Sequence, residues 1–122
     1  MDASSIALRV VKLPRELERR EDQSVLSLLR QTGYFENHDQ ITEDLLREAL
    51  RSDRHLCHEW LQFSENKRTE SGWYFENRET GGYVVGHFPE KTGGSQWLRY
   101  EDPIDGCAAF IKREVEDIRS LG

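Results

Sequence analysis

The residues best suited to chemistry in this sequence gather in "HLCHEW", residues 55–60. His55 and His58 are three positions apart, so on a helix they share a face, with Cys57 beside them. Imidazole and thiolate are zinc ligands, but a zinc site needs three or four converging donors. His87 or Cys107 would have to complete the set from far along the chain, so no metal is expected. Cys57 with a histidine base would make a nucleophile. On a helix His58 points about 100° away from its neighbour Cys57, which leaves His87 as the base, and nothing in the sequence brings it there. Cys57 continues an apolar stripe and reads as a buried structural thiol. "TGG" at 80–82 and "TGGSQ" at 92–96 are glycine-rich. Neither leads from a strand directly into a helix, the context in which phosphate is cradled, so both read as hairpin turns. No catalytic residue and no cofactor are expected, and the chain is read as a non-enzyme.

Carboxylates are the other candidates. One cluster is Glu36, Asp39, Glu43 and Asp44; a second is Glu101, Asp102 and Asp105. Both surround predicted helix N-termini, where carboxylates cap free N–H groups and complement the helix dipole. Capping does not require the accompanying shortage of cations: residues 21–50 hold seven acidic and two basic side chains. An acidic face for a basic protein partner explains that imbalance with the fewest assumptions. Aromatic density supplies a possible anchor. "SGWYFENRETGGYVVGHF", residues 71–88, holds more rings than a thin sheet needs to bury: either helices cover both faces of the sheet, the reading favoured here, or some rings form a contact surface, for which Tyr74, on the second face of its strand, is the first choice. The expected partner-binding set is therefore Glu36, Asp39, Glu43, Asp44 and Tyr74, with the second acidic cluster as a separate control.

These side chains need elements to hold them. Residues 6–13 fit a strand or a helix equally well, and Pro14 either ends that element or opens the next. Residues 24–32 read as the end of a helix, with Gly33 just beyond it. Thr42 is an N-cap, Ile41 and Leu46 have hydrophobic-staple spacing, and Leu45, Leu46, Ala49 and Leu50 form a buried face, with Glu43 and Arg47 an i,i+4 pair outside. A break near Ser52 and a fresh cap at Ser52 or Asp53 precede a stripe of Leu56, Cys57, Trp60, Leu61 and Phe63. After a polar loop over 64–71, strand-like runs at 73–76, 83–88 and 97–100 alternate with turn-rich stretches, which predicts a three-stranded antiparallel meander. Asp102 and Pro103 open a last helix whose apolar face is Ile104, Cys107, Ala108, Ile111, Val115 and Ile118. Trp60, Trp73, Ile111 and Val115 are expected to be largely buried. The fold class is α+β: N-terminal helices, the meander, then an amphipathic helix packed on the sheet.

The totals narrow the class. A chain of 122 residues suits a single domain, and a net charge of -6 disfavours unaided binding to nucleic acid. The basic run "RELERR" at 15–20 is interleaved with glutamates and has no ring to stack on a base. No apolar run approaches the ~20 residues of a bilayer span. The N-terminus has no basic stretch ahead of its apolar part, so it does not read as a secretory signal; with two cysteines the expected compartment is the cytoplasm.

With "HEWLQFSENKRTESGWYF", the meander and "CAAFIKREVEDI" as closing helix, the chain resembles, at class level and over residues 42–118, small acidic immunity proteins of bacterial toxin–immunity systems. The resemblance implies tight, non-catalytic binding that blocks a cognate toxin, often a basic nuclease; it assigns no residue roles. The other function classes are a small enzyme using Cys57 or a histidine–carboxylate site, and a subunit of a larger assembly.

Overall fold

The N-terminal ambiguity resolves as helix. In the computed structural model, which describes residues 2–66, 72–78, 81–88 and 98–121, α1 spans Ala3–Val11. Asp2 caps it by accepting the Ser5 N–H at 2.8 Å, and Ile6, Ala7, Val10 and Val11 form a buried stripe. Pro14 sits in the first turn of α2, Leu13–Arg19. Residues 24–32 are a complete short helix, not the tail of a longer one: α3, Val25–Thr32, begins at its own cap, where Ser24 accepts the Ser27 N–H. Gly33 ends it at φ +90, a left-handed conformation that a side chain would oppose. A short helix α4, Tyr34–Asn37, and a 3-10 turn, His38–Gln40, lead to α5, Glu43–Arg51, which Thr42 caps through the Leu45 N–H.

The expected break follows, with Asp53 accepting the His55 N–H, and α6 spans His55–Asn66. It runs through Ser64, Glu65 and Asn66, where the sequence suggests loop. The reason is tertiary. Buried Ser64 accepts the Phe75 N–H at 2.7 Å, so the last turn of the helix satisfies a donor on an edge strand. The sheet comprises β1 (Gly72–Asn77), β2 (Tyr83–Phe88) and β3 (Leu98–Tyr100), antiparallel in that order. Trp97, the turn at 92–96 and the rest of the loop at 67–71 lie outside the described residues. The closing helix α7, Pro103–Leu121, starts where Asp102 accepts the Ile104 N–H at 2.8 Å. The architecture is α+β, with the C-terminal helix on the sheet.

The core forms where α7 lies between the sheet and the helices. It contacts all three strands on one side and α5, α6 and α3 on others. Phe110 stacks on Phe75 at 5.8 Å and meets Trp60 edge-on at 5.9 Å. Trp60 donates its indole N–H to the Val11 carbonyl at 2.8 Å, which ties α6 to α1. Arg15 of α2 clamps α6 by pairing with Glu59 at 2.5 Å and Asp53 at 3.1 Å. Trp60, Ile111 and Val115 are buried as expected; Trp73 is only half-buried, because it lies at the edge of the sheet with the Arg113 guanidinium 5.5 Å from its ring centre. No helix among the described residues is long and apolar enough to cross a membrane.

Ile111→Ala is expected to cost about 2–5 kcal/mol, the range for emptying a fully buried aliphatic site. Ser64→Ala should cost about 1–3 kcal/mol by leaving the Phe75 N–H without an acceptor. Urea denaturation monitored by tryptophan fluorescence measures both, and an unchanged midpoint in Ile111→Ala would contradict the packing of α7.

Candidate protein-binding surface

The helix α5 runs antiparallel to α7, and this brings the two acidic clusters of the sequence together. Arg47 of α5 pairs with Asp44 on its own helix and approaches Asp105 of α7 at 3.9 Å. One turn back, Glu43 accepts from Arg113 of α7 at 3.4 Å. The i,i+4 pair expected between Glu43 and Arg47 is replaced by these contacts, since each side chain finds a partner across the helix interface or three residues along. The second cluster is therefore no independent control: Asp105 and Asp44 share one guanidinium. Asp102 keeps its separate role as the cap of α7.

The cations that residues 21–50 lack are supplied by α7. Beyond Arg113, Lys112 donates to the Tyr34 hydroxyl and to the His38 carbonyl, each at 2.8 Å. The Tyr34 hydroxyl donates to Glu116 at 2.5 Å, and Arg119 holds Glu116 with two bonds of 3.0 Å. Burial, then the neighbouring Glu116, pushes the Tyr34 hydroxyl above its ordinary value, and burial lowers the Lys112 ammonium. Arg119 in front, helped by Tyr34 and Lys112, holds the Glu116 carboxyl down at about 2. Asp39 is exposed, with its carboxylate 2.9 Å from Nδ1 of His38, and adds its negative charge to the field around Lys112 and Arg119. Glu36 and Asp44 are exposed; Glu43 is half-buried.

Tyr74 stands apart from these carboxylates. Phe75 and Val85 mark the side of the sheet that faces the core; Tyr74 is on the other side, its ring laid across Gly86, its partner in the β1–β2 register. Any side chain at 86 would collide with that ring. The dense aromatic run of 71–88 thus divides. Phe75 belongs to the core, Trp73 and Tyr83 pack at its margin, Tyr74 covers the outer face, and Phe88 is 59% exposed. Along the edge of β1 a groove of about 700 Å³ runs between that strand and α6, lined by Leu61, Gln62, Glu65, Trp73, Tyr74 and Glu76 among others. Sequence alternation places Tyr74 on the second face but reveals neither the register with Gly86 nor the groove, because both depend on how α6 meets the strand.

The histidine and cysteine readings separate in space. His55 and His58 share an exposed face, with ring centres 5.5 Å apart. Cys57 faces Cys107 between α6 and α7, both buried and free, and burial pushes the Cys107 thiol well above its ordinary value. His87 packs edge-on against Trp73 at 5.1 Å, on the sheet. Among the described residues no group of three His, Cys, Asp or Glu side chains is placed to hold a metal ion. Gly81 and Gly82 lie in the turn between β1 and β2. The chain matches no protein-family model, no curated protein and no solved structure.

The depressed Glu116 carboxyl sets a pH dependence. Its folded value of about 2 lies below the ~4.3 of an unfolded glutamate, so the stability it contributes is present above that unfolded value and drains away as pH falls towards 2. With the side chain 35% exposed, Glu116→Gln should cost less than about 1 kcal/mol at neutral pH. Thermal melts across a pH series should show a shallower acid limb in the variant; superimposable limbs would contradict the assignment.

Proposed function

We propose that this chain is a non-catalytic protein-binding module, an immunity-type inhibitor that neutralises a cognate basic toxin by covering it. The observation that supports this reading is the meeting of the two acidic clusters at Arg47. Carboxylates from α5 and from the start of α7, separate in sequence, gather on one side of a chain whose net charge is -6. Such a surface raises the encounter rate with a basic partner and disfavours acidic competitors. Helix capping accounts for Asp102 alone by a direct bond to a backbone N–H of α7; Asp44 and Asp105 point their charge at a shared arginine and at solvent. The cytoplasm is the compartment proposed for the encounter, in keeping with two free thiols.

The proposal is tested by asking whether a neighbouring gene encodes a basic toxin-like domain that copurifies with this chain, and then by stopped-flow association kinetics with that domain. Glu36→Lys together with Asp44→Lys should slow association roughly tenfold at low salt, with the difference fading as added salt shortens the screening length. Thermal stability should change little, because both groups are exposed. An association rate and salt dependence equal to those of the unmodified chain would overturn the acidic-face mechanism.

A further inference from the structure

We propose that Cys57 and Cys107 form a redox modification site, a dithiol that hydrogen peroxide converts to a disulfide joining α6 to α7. Neither the partner nor its identity enters this chemistry. The chain has two cysteines, fifty residues apart in sequence. The fold brings them together between α6 and α7, both free and buried, and the Cys107 thiol donates a hydrogen bond to the Cys57 sulfur. A single buried thiol is a small hydrophobe and nothing more. Two that share a hydrogen bond already stand in the order of a reaction, one sulfur towards the thiolate and the other holding a proton.

The two sulfurs are not equivalent. Cys57 is 5% exposed and Cys107 not at all. Cys57 is the third residue of α6, where the free N–H groups of the first turn favour a negative sulfur. The Cys107 hydrogen bond holds the Cys57 thiol below its ordinary value, while burial pushes the Cys107 thiol well above. Arg54 also favours the Cys57 thiolate, and Asp102 opposes it. Cys57 is therefore the attacking sulfur and Cys107 the resolving one. The Cys57 thiolate attacks one peroxide oxygen; the O–O bond breaks, and the hydroxide released takes up a proton as water. Cys107 sulfur then attacks the Cys57 sulfenic acid; the S–S bond forms, the S–O bond breaks, and hydroxide leaves with the Cys107 proton as a second water. Two thiols are oxidised and one peroxide is reduced. A reducing thiol pool restores the dithiol. The disulfide closes a long loop and restrains the unfolded chain, so the oxidised form is the more stable.

The test uses the reduced full chain, treated with hydrogen peroxide under native conditions, alkylated with iodoacetamide, digested and mapped by mass spectrometry. The Cys57 and Cys107 peptides should be recovered linked to each other, with neither thiol left to alkylate. The denaturation midpoint should rise and return to its first value with dithiothreitol. Cys107→Ser should stop the reaction at a Cys57 sulfenic acid, captured by dimedone, and Cys57→Ser should leave Cys107 unmodified. Because a serine in the core loosens the fold, the oxidation rate of the unmodified chain is also followed in urea below the unfolding transition. Reaction in the folded state gives a rate nearly independent of urea; a rate that climbs with the unfolded fraction would overturn the proposal. So would two thiols that stay alkylatable, disulfides between chains, dimedone on Cys107 in Cys57→Ser, or a lowered midpoint on oxidation.

Discussion

The structure depends on the burial of α7 on nearly every side. Six consecutive residues, Gly106 to Ile111, are buried, which an amphipathic surface helix cannot achieve. The run works because it alternates function rather than polarity. Gly106, Ala108 and Ala109 present small surfaces that admit close neighbours, while Phe110 and Ile111 fill the space beyond them. The sheet sits on one side of this segment and α5 and α6 on others. Phe110 joins those layers in a single aromatic cluster, from Phe75 in the strand to Trp60 and Phe63 in α6.

The same helix organises the charge. A helix sunk into the core for its first half must carry its polar residues on the second, and Lys112, Arg113, Glu116 and Arg119 fall there. Their partners come from α4, the 3-10 turn and α5: Tyr34 for Glu116, the His38 carbonyl for Lys112, Glu43 for Arg113. These half-buried contacts fix the register of the N-terminal helices on α7, and they explain how a stretch so poor in lysine and arginine stays folded. At the other end of the helix interface the balance tips. Asp44 and Asp105 share Arg47, and Asp102 is taken up by the cap. Near the start of α7, then, two carboxylates share a single arginine, and it is here that the proposed encounter with a basic partner would fall.

Features of this fold that depend on short-range bonds are legible in the sequence. Thr42 and Asp102 cap the helices that follow them, Gly33 closes one, and the glycine-bearing turn joins β1 to β2, because each acts within a few residues of itself. Features decided across the chain are not. Both periodicities fit residues 6–13, and packing against α5 selects the helix. Polar Ser64 looks like the start of a loop until the Phe75 N–H is seen to need it. Glu43 has a plausible local partner in Arg47, yet takes Arg113, seventy residues away. The candidate surface divides in the same way. The composition shows an excess of carboxylates, but only the antiparallel packing of α5 on α7 unites two clusters, and only the β1–β2 register lays Tyr74 over Gly86 and away from both.

Native-state hydrogen exchange, measured amide by amide, tests the central place of α7 most directly. If α7 is the spine on which sheet, helices and charge network depend, the amides of the buried Gly106–Ile111 segment exchange only through global unfolding, with a free energy equal to that from denaturant titration. The amides of α1 and α5 then exchange no more slowly than these. Exchange of the Gly106–Ile111 amides at a clearly lower free energy than those of α1 or α5 would contradict this, because α7 would then open while the rest of the fold persists.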